Sequence, residues 1–148
     1  MSTAPSAAFR RPPVEEPAPT IIESRRPSSQ AYRILQIGFI VLPILAGADK
    51  FLHRLVNWDK YLAPILNELV QGHGHQLMLA AGVVEVIVGI GVAWKPRVFS
   101  YIVALWLAGI IANLLLIPGY FDVALRDFGL LLAALALGRL SAQYAVRR

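Results

Sequence analysis

QLMLAAGVVEVIVGIGVAW, residues 76–94, decides the fold of this chain. From Leu77 to Trp94 the only ionisable side chain is Glu85, and the rest is apolar or small. Eighteen such residues in a row are long enough for a helix that crosses a bilayer and too apolar for a surface helix of a soluble domain. A carboxylate at bilayer depth costs about 2.5–3.5 kcal/mol on insertion scales, so it calls for a partner. The expected partner is Arg126, which stands beside Asp127 at the start of the last apolar segment.

Outward from this stretch the same composition recurs. Of 148 residues, 57% are hydrophobic and the mean hydropathy is +0.58. Soluble domains usually hold about 45–50% apolar residues, and here these residues come in long blocks. Spans are expected at about 33–52, 77–94, 98–117 and 122–140. The first carries Pro43, placed to kink it. The fourth has the shortest apolar core, Phe128–Gly138, and spans only if Val123–Arg126 lies within the bundle and Arg139 reaches the far surface. The predicted fold class is an all-α membrane protein, a four-transmembrane-helix bundle over residues 31–142.

Two segments lie outside the spans. Residues 1–30 form a polar arm whose Pro12, Pro13, Pro17, Pro19 and Pro27 disfavour a continuous helix. This arm is either disordered or ordered against a partner. Residues 143–148 form a basic tail. Between the first two spans, Trp58, Tyr61, Leu62, Ile65, Leu66 and Leu69 recur at helical spacing. An amphipathic helix over about 58–71 is expected there, lying on the outer membrane surface, with Pro64 in the first turn of its regular part.

Net charge is +5 and the isoelectric point about 10. The basic residues sit at the ends of apolar blocks without a basic stripe, so they set membrane topology and no nucleic-acid partner is expected. Arg25, Arg26, Arg33, Lys95, Arg97, Arg139, Arg147 and Arg148 fall on one side, against Lys50, Arg54 and Lys60 on the other. The richer side is read as cytoplasmic, which places both termini inside. The sequence has no cysteine, which excludes disulfides and thiolate-bound metals or clusters. No apolar leader core opens the chain, and no cleaved signal is expected.

Polar groups gather in the outer half of the bilayer: Asp49, Lys50, Glu85, Asn113, Arg126 and Asp127. One reading is a charge-compensated cluster that sets helix register, with Glu85 on Arg126, Lys50 on Asp127 and Asn113 between them. A second is a pocket open to the outside that binds a quinone headgroup or passes protons. A third is a transport path. His53, His73 and His75 form a weak candidate metal site for zinc or copper, with the bland alternative of interfacial histidines; Asp49 is one turn from His53 and could orient it. No nucleophile–base set, phosphate loop or dinucleotide motif is present. Small residues at packing spacing (Ala81 and Gly89 on the face that carries Glu85; Ser100, Ala104, Ala108 and Ala112; Ala134 and Gly138) suit close helix contact.

Three short motifs resemble the DoxX-like membrane proteins. Gly47-Ala48-Asp49-Lys50-Phe51 is similar to the end of that family's first helix, Gly82–Gly89 with its central Glu85 to the second, and Arg126-Asp127-Phe128-Gly129-Leu130-Leu131 to the fourth. The resemblance runs from about Arg33 to Leu140 and omits the arm and the amphipathic segment. It implies a four-helix bundle in the bacterial cytoplasmic membrane, and a link to quinone-coupled oxidoreductases. The resulting expectation is an accessory, non-catalytic subunit of a membrane redox or energy-conversion complex. Its partners would be lipid and other membrane subunits, met through the arm and through a mid-span Trp106. The alternatives are a quinone-binding component, with quinone as its one candidate cofactor, and a small transporter.

Overall fold

The computed structural model describes residues 27–144, and all of its regular structure is helical. Helix α1 is Pro27–Leu52, a 3-10 helix covers Trp58–Tyr61, and α2 is Pro64–Leu69; α3 is Gly74–Trp94, α4 is Pro96–Leu115 and α5 is Phe121–Tyr144. The helices α1, α3 and α4 are each long and apolar enough to cross a membrane. Helix α5 is as long, but it carries Asp122, Arg126 and Asp127 in its first two turns and Arg139 near its end. Most of the Pro-rich arm, and with it the suggested partner contact, lies outside the described residues; residues 27–30 already belong to the first turns of α1. Residues 145–148 of the tail also lie outside them.

The four long helices run up and down in turn and close a ring. Two pairs pack most extensively, α1 on α3 and α4 on α5. Glycine makes the first contact possible. A Cβ on Gly47 would stand 2.5 Å from the Gly82 carbonyl oxygen, and one on Gly82 would stand 2.8 Å from the Gly47 carbonyl oxygen. Small residues at such crossings let backbones touch. Between α4 and α5 the corresponding site is Gly138 against Ser100 and Tyr101. The small-residue row on α4 holds only in part. Ser100 and Ala104 are buried while Ala108 and Ala112 are exposed, because each four-residue step drifts about 40° around the helix.

At one end the ring is shut. Tyr32 stacks on Tyr144 with centroids 5.4 Å apart, and Ser28 bonds the same tyrosine hydroxyl. Above this lies an apolar core of Phe39, Val88, Val92, Val103, Ala104, Ala134 and Leu137. The opposite end, which carries the 3-10 helix and α2, has its own smaller core of Ala63, Leu114, Ile117 and Ala124. Around the outside the apolar side chains are exposed: Ile34 is 71%, Leu105 75% and Leu125 72% accessible, the pattern of a bundle solvated by lipid.

The amphipathic segment is shorter and more broken than a helix over 58–71. Asn57 caps the 3-10 helix by accepting from the Asp59 N–H at 3.1 Å, and that helix stops at Leu62 in extended conformation. Ala63 is also extended, as the residue before a proline must be, and α2 starts at Pro64. Proline therefore divides the segment, and its two halves can lie at an angle around the helix ends.

Candidate functional site

Between the two tight helix pairs, at the end bearing the 3-10 helix, lies a cavity of about 560 Å³. All four long helices line it, and its floor is the core around Phe39, Val88 and Val103. Its walls are mostly apolar, among them Leu42, Met78, Leu107 and Ile110. The polar exceptions are Lys50, Glu85, Trp58, Tyr61, Trp106, Asn113, Arg126 and Asp127.

The central feature is an ion pair. Lys50 Nζ stands 2.6 Å from Glu85 Oε2, and the two side chains are only 4% and 10% exposed. The glycine crossing explains the placement, since Lys50 is one turn beyond Gly47 on α1 and Glu85 is three residues beyond Gly82 on α3. The expected Glu85–Arg126 pair is not formed. Arg126 bonds Asp122 at 3.1 Å, one turn away on its own helix, and both are well exposed. Geometry decides between the cations. The packed α1–α3 pair carries Lys50 straight to Glu85, whereas Arg126 on α5 faces it across the cavity. Lys50 is therefore not Asp127's partner either.

Three further groups complete the constellation. Trp106 Nε1 approaches Glu85 Oε1 at 3.5 Å, so this tryptophan faces the cavity and is only half-exposed. Trp106, read from the sequence as a residue facing lipid or another subunit, thus turns its indole N–H inward to Glu85. Trp58 lies against Lys50, with Nζ 3.9 Å from the ring centroid, a cation–π contact. Asp49 holds Trp58 there, accepting from its Nε1 at 2.7 Å and from the backbone N–H groups of Arg54 and Leu55 at 3.0 Å each. Asp49 thus ends α1 and aims the aromatic lid. Its carboxylate does not orient His53, which meets Asp49 only through a backbone bond of 2.7 Å. Trp58 is the residue that sequence reasoning missed. Its signal was present, an indole nine residues after a buried Asp-Lys pair, but nothing local says that the chain folds back.

Asn113 does not bridge the charges. Its Oδ1 accepts from the Ala63 N–H at 2.8 Å and its Nδ2 donates to the Tyr61 carbonyl at 2.5 Å. The side chain bonds the last residue of the 3-10 helix and the residue before α2, and so pins the linker between them to α4. Asn113→Asp should release it, because a carboxylate cannot donate to the Tyr61 oxygen. A loss of about 1–3 kcal/mol is expected. Hydrogen exchange at Tyr61–Ala63 should rise while exchange in α3 stays unchanged; equal protection in variant and wild type would refute the role.

The three histidines separate. His53 and His75 stack, with centroids 5.6 Å apart. His73 points elsewhere, its Nδ1 on the Val70 carbonyl at 3.0 Å. The candidate set His53, His73 and His75 is therefore not assembled as such.

Comparison with protein-family models, with curated proteins and with solved structures returns no match.

Proposed function

We propose that this chain is a membrane-embedded subunit that binds a lipid-soluble amphiphile with an aromatic or quinonoid headgroup, in the cavity between its helix pairs. The observation that carries the reading is the buried Lys50–Glu85 pair in the wall of an otherwise apolar cavity of about 560 Å³. This volume falls within the range of small-molecule sites, which are mostly apolar with a few placed polar groups. The Lys50 ammonium has N–H groups beyond the one it gives Glu85, and the Trp106 N–H makes only a long contact of 3.5 Å, so both have donor capacity for carbonyl oxygens. Trp58 and Trp106 offer flat faces, and the apolar wall suits a tail. Quinones have this chemistry, and the resemblance to DoxX-like proteins points the same way.

In this reading α5 is a fourth span. Its 24 residues would reach about 36 Å, and it closes the ring against α1 and α4. At the end that holds Lys50 the further basic residues are Arg54, Lys60 and Arg126, while Arg25 and Arg26 directly precede α1 in sequence at the other end. The excess of Arg33, Lys95, Arg97 and Arg139 at the other end then favours that end as cytoplasmic, in a bacterial inner membrane. The cavity then lies toward the outer face. Its floor is packed core, which favours a binding site over a transport path.

Tryptophan fluorescence tests the proposal. Of the three tryptophans, Trp58 and Trp106 line the cavity and Trp94 stands exposed at the opposite end. A short-tailed quinone added to the protein in nanodiscs should quench the first two saturably. Gly109 also lines the cavity and has nothing within 4 Å of its Cβ position. Gly109→Phe should fold normally, fill the cavity and abolish saturable quenching. Equal quenching in a folded Gly109→Phe protein would sink the assignment.

A further inference from the structure

We propose that His53, Asp59 and His75 form a binding site for a divalent transition-metal ion of the zinc class, on the surface above the cavity. One donor atom from each residue can be chosen such that all three lie within 4.8 Å of one another. The donors come from three segments that are separate in sequence: the residue after α1, the 3-10 helix, and the first turn of α3.

The geometry is close to that of a bound site. Tetrahedral zinc with ligand distances of about 2.0–2.1 Å separates its donor atoms by about 3.3 Å. His75 Nδ1 and Asp59 Oδ2 already stand 3.0 Å apart. The His53 donor lies within 4.8 Å of the other two, so its ring moves inward by at most about 1.5 Å, which its exposed side chain allows. Two imidazoles and one carboxylate leave a fourth position for water. Nitrogen donors favour zinc, copper, nickel or cobalt over calcium and magnesium, which take oxygen ligands.

Backbone conformation supports the arrangement. His53 has φ +48, in the left-handed region. Histidine, like asparagine, enters this region more readily than most side chains. The turn carries the His53 ring back over His75, and Asn57 fixes Asp59 by accepting from its N–H. A bound ion would tie the end of α1 and the start of α3 to the residue next to Trp58, and so hold the lid over Lys50. The site uses none of the cavity's own side chains, so it stands or falls independently of the ligand proposed there.

The test is zinc titration of the full chain in detergent by calorimetry in a non-chelating buffer, with cobalt absorption as a second readout. Wild type should bind one ion per chain, show tetrahedral cobalt bands, and melt at a higher temperature with zinc. His53→Asn, which keeps the left-handed turn accessible, His75→Ala and Asp59→Asn should each weaken zinc by more than about tenfold. They should also lose the thermal shift. His73→Ala should bind as wild type does. Wild type without stoichiometric zinc, or a His73→Ala loss equal to that of His75→Ala, would overturn the proposal.

Discussion

Lys50→Met is expected to lose about 3–5 kcal/mol of stability at neutral pH, the usual consequence of leaving one member of a buried pair alone. The Glu85 carboxylate would stay in a site 8% exposed, with only the Trp106 indole at 3.5 Å to replace an ammonium at 2.6 Å. Glu85→Gln should be milder. There the orphan is the Lys50 ammonium, which keeps the face of Trp58 at 3.9 Å, a contact worth about 0.5–2 kcal/mol. The combination Lys50→Met with Glu85→Leu should recover most of the loss, since an apolar pair of similar volume is often neutral or stabilising in place of a buried ion pair. The same double variant should no longer quench on quinone addition. Stability followed by unfolding in mixed detergent, beside fluorescence titration, separates the two effects. If the double variant folds well and still binds quinone, the pair serves register alone. If neither single variant loses stability, the pair is not closed in the membrane.

That pair also shows what a sequence can and cannot disclose. The apolar blocks at 33–52, 77–94 and 98–117 are readable because a spanning helix needs only length and composition, and the structure has helices at 27–52, 74–94 and 96–115. Glu85 stands out for the same reason, as a charge where none is cheap. Its partner is not readable. Lys50 and Arg126 are both cations near one end of an apolar segment, and which of them meets Glu85 depends on which helices are neighbours in the ring. The clue was in the glycines: Gly47 and Lys50 share a helix face at i, i+3, as do Gly82 and Glu85. The lid was harder still. Trp58 reaches Lys50 only because Asp49 captures the Arg54 and Leu55 backbone and turns the chain back, a tertiary bond that leaves no periodic trace. His73 and His75 look like a chelating pair in one dimension. Nevertheless, His73 stays beside the end of α2, while the first turn of α3 brings His75 to Asp59.

The glycine crossing yields the second large effect, and the sign separates packing from propensity. Glycine to alanine inside a helix ordinarily gains up to about 1 kcal/mol. Gly38→Ala on α1 should show that gain, because nothing lies within 4 Å of its Cβ position. Nine residues along the same helix, Gly47→Ala should do the opposite. Its methyl would meet the Gly82 carbonyl at 2.5 Å and the Val86 side chain at 2.9 Å. A carbonyl in a helix cannot rotate away, so the helices must part. Overpacking of this kind costs about 1–3 kcal/mol or more, which exceeds the propensity gain. Gly82→Ala faces the Gly47 carbonyl at 2.8 Å and should be affected likewise. Parting α1 from α3 also draws Lys50 away from Glu85, so the quinone response should fall together with stability. Unfolding midpoints of the three variants check this directly. Gly47→Ala as stable as Gly38→Ala would mean that α1 and α3 do not touch at this crossing, and the ion pair built on it would lose its foundation.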